Sequence, residues 1–251
     1  MRLNKFLSEA GVCSRREADR QIELGHVKVN GVVATLGTQV DASDEVVFNG
    51  KQIQNENQKV VIAFNKPVGI ECTSSPEVKD NIVDYIKYPI RIFPVGRLDK
   101  NSEGLILLTN DGDLSNGILK ARYFHEKEYI VTVNKEISRV FVQNMSQGVN
   151  ILDTVTRPCQ VTKISDRSFK IILTQGLNRQ IRRMCEALGY EVVKLKRIRV
   201  LNVVLGDLEK GKWRYLTEEE LSTLKEMVSL NIDADINSAG DANCDTNKEE
   251  D

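Results

Sequence analysis

Gly96-Arg97-Leu98-Asp99-Lys100-Asn101-Ser102-Glu103-Gly104-Leu105-Ile106-Leu107-Leu108-Thr109-Asn110-Asp111-Gly112 joins a polar loop to a run of Leu and Ile. Residues 104–109 predict a buried strand, because they form a short apolar run bounded by turn residues. Asn110-Asp111-Gly112 then turns the chain. Asp99 thus sits beside Arg97 on a loop whose exit is anchored in the core, a common way to hold a reactive group still. Many Asp residues in such places are turn or cap residues, so the local pattern alone leaves both roles open.

The 251 residues allow one large domain or two unequal ones. No run of about 18 apolar residues is present, so no membrane span is expected. The N-terminus, Met1-Arg2-Leu3-Asn4-Lys5, lacks an apolar secretory segment. Cys13, Cys72, Cys159, Cys185 and Cys244 are scattered without a CxxC pair, and the only histidines are His26 and His125. Reduced thiols in a cytoplasmic protein are therefore expected, and a metal site is not. P-loop and Rossmann signatures are absent, and no cofactor is expected. The formal charge of -1 conceals a division. Residues 233–251 hold seven acidic residues and one Lys, a net of -6. The rest carries 34 basic and 29 acidic residues, a net of +5, and residues 176–200 alone account for that excess. Such concentration says more about an anionic partner than the total does.

Taken in order, residues 1–50 form a first unit. Leu3, Phe6, Leu7 and Ala10 fall at helical spacing, with Gly11 as a stop. Ser14 caps a second helix, with Glu17 three residues on as in a capping box, and that helix presents Arg15, Arg16 and Arg20. Val27-Lys28-Val29 alternates like a strand, and Asn30-Gly31 is a strong hairpin turn. Residues 51–59, with three Gln and two Asn, predict a linker. A second domain, 60–230, begins with an apolar strand at 60–64, which Pro67 bars from continuing as a helix. Helices are expected over 81–88, 113–119 and 137–147, and antiparallel strands over 161–164 and 168–173. From Asn178, the apolar Ile181, Met184, Cys185 and Leu188 share one helical face. Arg179, Arg182 and Arg183 crowd the start of that helix, where the dipole disfavours cations, so they need anionic partners. Residues 194–199 alternate basic and apolar, as an RNA-facing strand or a guarded sheet edge would. A last helix is expected over 218–230, and the acidic tail, 231–251, is expected to be disordered. Strands in hairpin-like runs among helices, without a βαβ repeat, indicate an α+β fold.

GRLDKNSEGLILLTNDG at 96–112, AFNKPVGIECT at 63–73, HEKEY at 125–129, GLNRQIRRMCE at 176–186 and GKWR at 211–214 together resemble the pseudouridine synthases of the RsuA/RluB/RluF family, and most of all its RluF branch. LNKFL at 3–7, SRREA at 14–18, GHVKVNG at 25–31 and Asp44-Glu45-Val46 resemble the small RNA-binding module of ribosomal protein S4. The resemblance covers residues 1–225. It implies an S4-like module, free to move on its linker, and a synthase domain whose mixed, mainly antiparallel sheet is split by a cleft. It implies Asp99 as nucleophile, Arg182 as its ion-pair partner, Tyr129 packed on a flipped-out uracil, and Arg97 filling the vacated space or holding the backbone. An opposite charge favours an ionised carboxylate, and an aromatic face suits an unstacked base. Lys66 and Pro67 are expected to shape the neighbouring loop. RNA contacts are expected from Arg2, Lys5, Arg15, Arg16, Arg20 and Lys28 in the module. In the second domain they are expected from Asn178, Arg179, Arg183, Lys196, Arg197 and Arg199. The branch implies 23S rRNA as substrate, a tRNA anticodon loop as a second one, and a monomer. Attack at C1′, attack at C6 and a glycal route all stay open. A binding-only ribosome-assembly factor and a 16S rRNA target are the alternatives.

Overall fold

A computed structural model describes residues 1–54, 58–75, 77–120 and 123–241. The first unit holds α1 (Leu3–Glu9), α2 (Arg15–Glu23), β1 (Val27–Val29), β2 (Val32–Val33), β3 (Val46–Phe48) and β4 (Lys51–Gln52). Its antiparallel sheet runs β2-β1-β3-β4. Leu3 and Leu7 of α1 and Ala18 and Ile22 of α2 share a core with Val27 and Val46. Ser14 caps α2 by accepting the Glu17 N–H at 3.2 Å, while the Glu17 carboxylate accepts from Gln21 Nε2. Asn30-Gly31 makes the expected turn, both residues at positive φ.

The same dipeptide recurs as Asn49-Gly50, again at positive φ, and folds β4 back onto β3. Lys51 and Gln52, expected to be linker, therefore belong to the sheet, and Ile53 packs on its core. One left-handed turn and one apolar residue suffice to draw a polar stretch into a hairpin. The module, expected to ride free, is seated on the larger domain. Lys5 Nζ donates to both carboxylate oxygens of Asp113, at 2.8 and 2.7 Å, and Arg91 donates to Ser8 Oγ.

The larger domain continues with β5 (Val61–Lys66), α3 (Ile82–Ile86), β6 (Phe93–Pro94), β7 (Glu103–Thr109), α4 (Gly112–Leu119), β8 (Lys127–Val133) and α5 (Arg139–Gln147). A separate ribbon, β9 (Asn150–Ile151) with β10 (Thr154–Val155), follows. Then come β11 (Gln160–Ser165), β12 (Ser168–Leu173), α6 (Gln180–Ala187), β13 (Val192–Val200), β14 (Val203–Val204), β15 (Trp213–Tyr215) and α7 (Glu218–Asp241). The nine-stranded sheet runs β11-β12-β8-β13-β7-β5-β15, with β14 on β13 and β6 on β7. Its pairs are antiparallel except β13 with β7, which meet only at Lys196 with Glu103 and Arg197 with Gly104. That short seam divides the sheet into halves.

All seven residues of β7 are buried. Leu105 and Leu107 enter one core, against α4 and α7, while Ile106 and Leu108 enter another on the opposite face. Burial on both faces explains the unbroken apolar run. The other half of the sheet has its own core, built from Val131, Phe169 and Ile171 under Phe141 of α5 and Met184 of α6. The last helix runs past its expected end to Asp241, into the tail expected to be disordered, since extending a formed helix costs far less than starting one. Residues 242–251 lie outside the described residues. Among the described residues, no helix is long and apolar enough to cross a membrane.

Gly104 has a φ of +104°, and a Cβ there would overlap the Arg197 carbonyl. Gly104→Ala is expected to lose about 2–5 kcal/mol through backbone strain and forced separation of β7 from β13. Thermal and urea unfolding measure it, and a loss under about 0.5 kcal/mol, the range of neutral surface changes, contradicts this account.

Candidate active site

Next to the seam the two halves of the sheet flank a cleft of about 620 Å³. Arg97, Asp99, Lys127, Tyr129, Arg179 and Arg197 line it. The loop bearing Asp99 is fastened on both sides. Before it, the Leu98 N–H points at Cys72 Sγ, 3.3 Å away. After it, the Ser102 N–H donates to Asp99 O at 3.0 Å, and Gly69 N–H donates to Lys100 O at 2.8 Å. Lys66 is fully buried, and its ammonium donates to Pro67 O at 2.9 Å and Lys100 O at 3.4 Å. Burial pushes its pKa below the usual lysine value, with Cys72, Asp99 and Glu103 pulling the other way. Lys66 is thus an internal strut between two loops.

Arg182 lies in the first turn of α6, entered through Arg179 in a left-handed conformation. Its Nε is 3.6 Å from Asp99 Oδ2. Its Nη2 donates to Asn101 O at 2.9 Å and Ser102 Oγ at 3.2 Å, and its Nη1 to Val192 O at 3.3 Å. These acceptors answer the need created by placing a cation at a helix start. Tyr129 stands opposite Arg197 across the β8–β13 ladder and touches the cores of both halves. Arg97 is exposed and makes no hydrogen bond or ion pair among the described residues. All four expected catalytic residues converge: Arg97, Asp99 and Tyr129 line the cleft, and Arg182 reaches Asp99 from α6.

The expected RNA contacts divide. Arg2, Arg15, Arg16 and Lys28 are exposed on the module, while Arg20 pairs with Glu17 at 3.3 Å and Lys5 is held by Asp113. Asn178 and Arg179 line the cleft. Arg183 donates to Asn178 O at 3.1 Å and Asn178 Oδ1 at 3.2 Å. Lys196 is half-buried, without an ion pair among the described residues. β13 is a central strand, not the guarded edge that was the alternative reading, and two of the arginines expected to meet RNA from it are engaged within the protein. Arg199 is gripped by Glu126 at 2.8 Å and Glu128 at 2.7 Å. Arg197, only 3% exposed, donates from Nε to Leu105 O at 2.7 Å and shows the cleft little more than an edge.

Sequence reasoning missed Lys127. It lies two residues before Tyr129 on β8, so the two share a face, and that spacing was the available signal. Its Nζ donates to His125 O at 3.3 Å. Burial, reinforced by the positive charge of Arg197, pushes its pKa down to about 8. Carbon NMR of labelled lysine side chains should show one resonance titrating near pH 8. Arg197→Gln removes the repulsion and should move that midpoint up. Because the native pKa is depressed, the unfolded chain binds more protons between about 8 and about 10.4, so the Lys127 contribution to stability rises with pH across that window. A midpoint near about 10.4 contradicts the buried placement.

Comparison with known proteins agrees with this geometry. Residues 60–187 match the RNA pseudouridylate synthase family, and residues 1–46 match the S4 domain. The chain is 54% identical over 230 residues to the dual-specificity RNA pseudouridine synthase RluF of Escherichia coli, covering 91% of this chain and 79% of that protein. It is 36% identical over 233 residues to the ribosomal large subunit pseudouridine synthase B of Bacillus subtilis, covering 89% of this chain and 95% of that one. A crystal structure of a pseudouridylate synthase superposes with a TM-score of 0.66 at 30% identity, over 89% of this chain and 99% of the other. With both domains matched in chain order and these relatives aligned along nearly the whole chain, the chain belongs to the RsuA/RluB/RluF family of RNA pseudouridine synthases, within its RluF branch.

Proposed function

We propose that this enzyme isomerises a specific uridine of 23S rRNA to pseudouridine, with Asp99 as the nucleophile and the target base flipped into the cleft. The observation that carries this is the Arg182 guanidinium, 3.6 Å from Asp99 Oδ2 while bonded to Asn101 O and Ser102 Oγ. One side chain therefore sets both the charge environment and the position of the reactive carboxylate.

The reaction breaks the C1′–N1 bond, rotates the uracil, and joins C1′ to C5. The C5 hydrogen leaves as a proton and N1 gains one, so no oxidant or reductant takes part. Asp99 acts as nucleophile or base at the ribose or uracil. Tyr129 stacks on the ring, replacing neighbours lost at a cost of a few kcal/mol, and Arg97 fills the gap in the RNA stack or grips its backbone. A relative named for the large ribosomal subunit supports the RNA of that subunit as the target, and relatives named for dual specificity support a second RNA substrate, which we take to be a tRNA anticodon loop. The enzyme acts as a cytoplasmic monomer.

Carbodiimide mapping by primer extension tests this on rRNA and tRNA from cells lacking the gene, then from cells given back wild type or Asp99→Asn. Wild type should restore one 23S signal, and Asp99→Asn should restore none, its rate falling by at least about 10²-fold. Purified Asp99→Asn should still bind the RNA. Full turnover by that variant would remove Asp99 from the mechanism.

A further inference from the structure

A second cavity, of about 280 Å³, lies between the module and the larger domain and shares no lining residue with the cleft. Ser8, Glu9 and Arg15 face it from the module, and Arg91, Phe93 and Ser115 face it from the other side. Its charges are unevenly matched. Glu9 and Asp113 both lean on Lys5, at 3.7 and 2.7 Å, and Asp111 has Lys59 at 3.8 Å. Arg15 and Arg91 have no carboxylate at ion-pair distance among the described residues.

Arg91 is half-buried. Its Nη1 donates to Ser8 Oγ at 3.3 Å, and its guanidinium lies 5.8 Å from the centre of the Phe93 ring. Burial pushes its pKa below the usual value. A partly desolvated guanidinium with a hydroxyl and a ring as neighbours lacks a counter-charge. Arg15 approaches from α2, its Nη2 only 3.4 Å from where a Cβ on Gly112 would stand. The first amides of α4 are taken by the Asp111 cap, at 3.0 and 3.1 Å, so the attraction for an anion comes from the two guanidiniums. Glu9 faces the cavity as well, its Oε1 accepting no hydrogen bond, and Lys5 is the cation that offsets it.

The position relative to the cleft matters. Gly112 and Ser115 of α4 line this cavity, and Ile118 and Leu119 of the same helix line the cleft. Eight helical residues span about 12 Å at 1.5 Å each. That is roughly three to four nucleotides at about 3.4 Å per nucleotide of a stacked strand.

We propose that this cavity seats a backbone phosphate of the substrate RNA, gripped by Arg15 from the module and Arg91 from the larger domain. The inference rests on the RNA-modifying function and extends it: one strand occupies the cleft, then spans the junction between the seated module and the domain a few nucleotides away. A guanidinium fork on each side matches phosphate geometry.

The test uses the full chain and a 23S rRNA transcript. Binding is measured between about 50 and about 200 mM salt for wild type, Arg91→Gln and Arg15→Gln. Each variant should bind more weakly, and its slope of log affinity against log salt should fall by about 1, the signature of one lost phosphate contact. Arg15 is exposed, so its replacement leaves the core intact and carries the test alone if Arg91→Gln melts early. An unchanged slope for Arg15→Gln overturns the proposal. Tritium release from a C5-labelled transcript by wild type reports the enzymatic reading separately. Lowered slopes without any release would sink that reading and leave the phosphate seat standing.

Discussion

Two residue pairs, Lys196 with Glu103 and Arg197 with Gly104, hold the halves of the synthase sheet together, and the geometry of the cleft depends on them. The Asp99 loop runs into β7 at this seam. Tyr129 stands opposite Arg197 one strand further on, and α6, which carries Arg182, leads into β13. Any slip between β7 and β13 would therefore move the proposed nucleophile against both its cation and the ring meant to hold the base. Parallel pairs are slightly weaker per residue than antiparallel ones, and this one is short. It is reinforced by the Arg197 Nε bond to Leu105 O, made across the seam at 2.7 Å. The absence of a side chain at Gly104 lets the two backbones approach closely enough for it.

Building a cleft from such a seam concentrates buried cations. Lys66, Lys127 and Arg197 all lie near it, against Glu103 and the more open Asp99. Burial raises the Glu103 carboxyl, but hydrogen bonds from Lys210 and Lys194 outweigh it and hold the pKa below the usual range. Lys66 is committed to loop carbonyls, and Arg197 shares its Nε with the β7 backbone. The basin keeps a positive excess even after these internal bonds, which suits a polyanion that must bring a base inside.

Much of this was legible in the chain. The 104–109 run read as a buried strand, and burial on both faces is why it does not alternate. Ser14 and the Asn30-Gly31 turn behaved as local rules require. What local rules could not supply was partner identity. In sequence the nearest acid to Arg182 is Glu186, four residues on, and the nearest to Arg199 are Glu191 and Asp207, eight residues away, so spacing names neither partner. Only the fold brings Asp99 to one and Glu126 with Glu128 to the other. The alternation at 194–199 correctly predicted a strand, and long-range pairing, which local pattern does not carry, excludes the guarded-edge alternative by placing it inside the sheet. Asn49-Gly50 carried the same turn signal as Asn30-Gly31, and the polar composition after it masked the hairpin.

Sorting the basic residues by what they touch shows how the fold divides labour. Lys5, Arg20, Arg183 and Arg199 are satisfied inside the protein, so removing them would first disturb docking or local structure. Arg15, Arg16 and Lys28 on the module, Arg91 at the junction, Arg97 and Arg179 around the cleft, and Lys196 on β13 have no carboxylate at ion-pair distance among the described residues. Uncompensated guanidiniums and ammoniums on a folded surface cost little in water, but those that are partly desolvated are costly without an outside anion. Arg91 is the half-buried member of that set at the junction, between module cations on one side and cleft cations on the other. Arg15 and Arg91 meet at the cavity beside the start of α4, and Arg97 and Arg179 line the cleft beside its end, the spacing that the proposed single RNA strand would use to reach both domains.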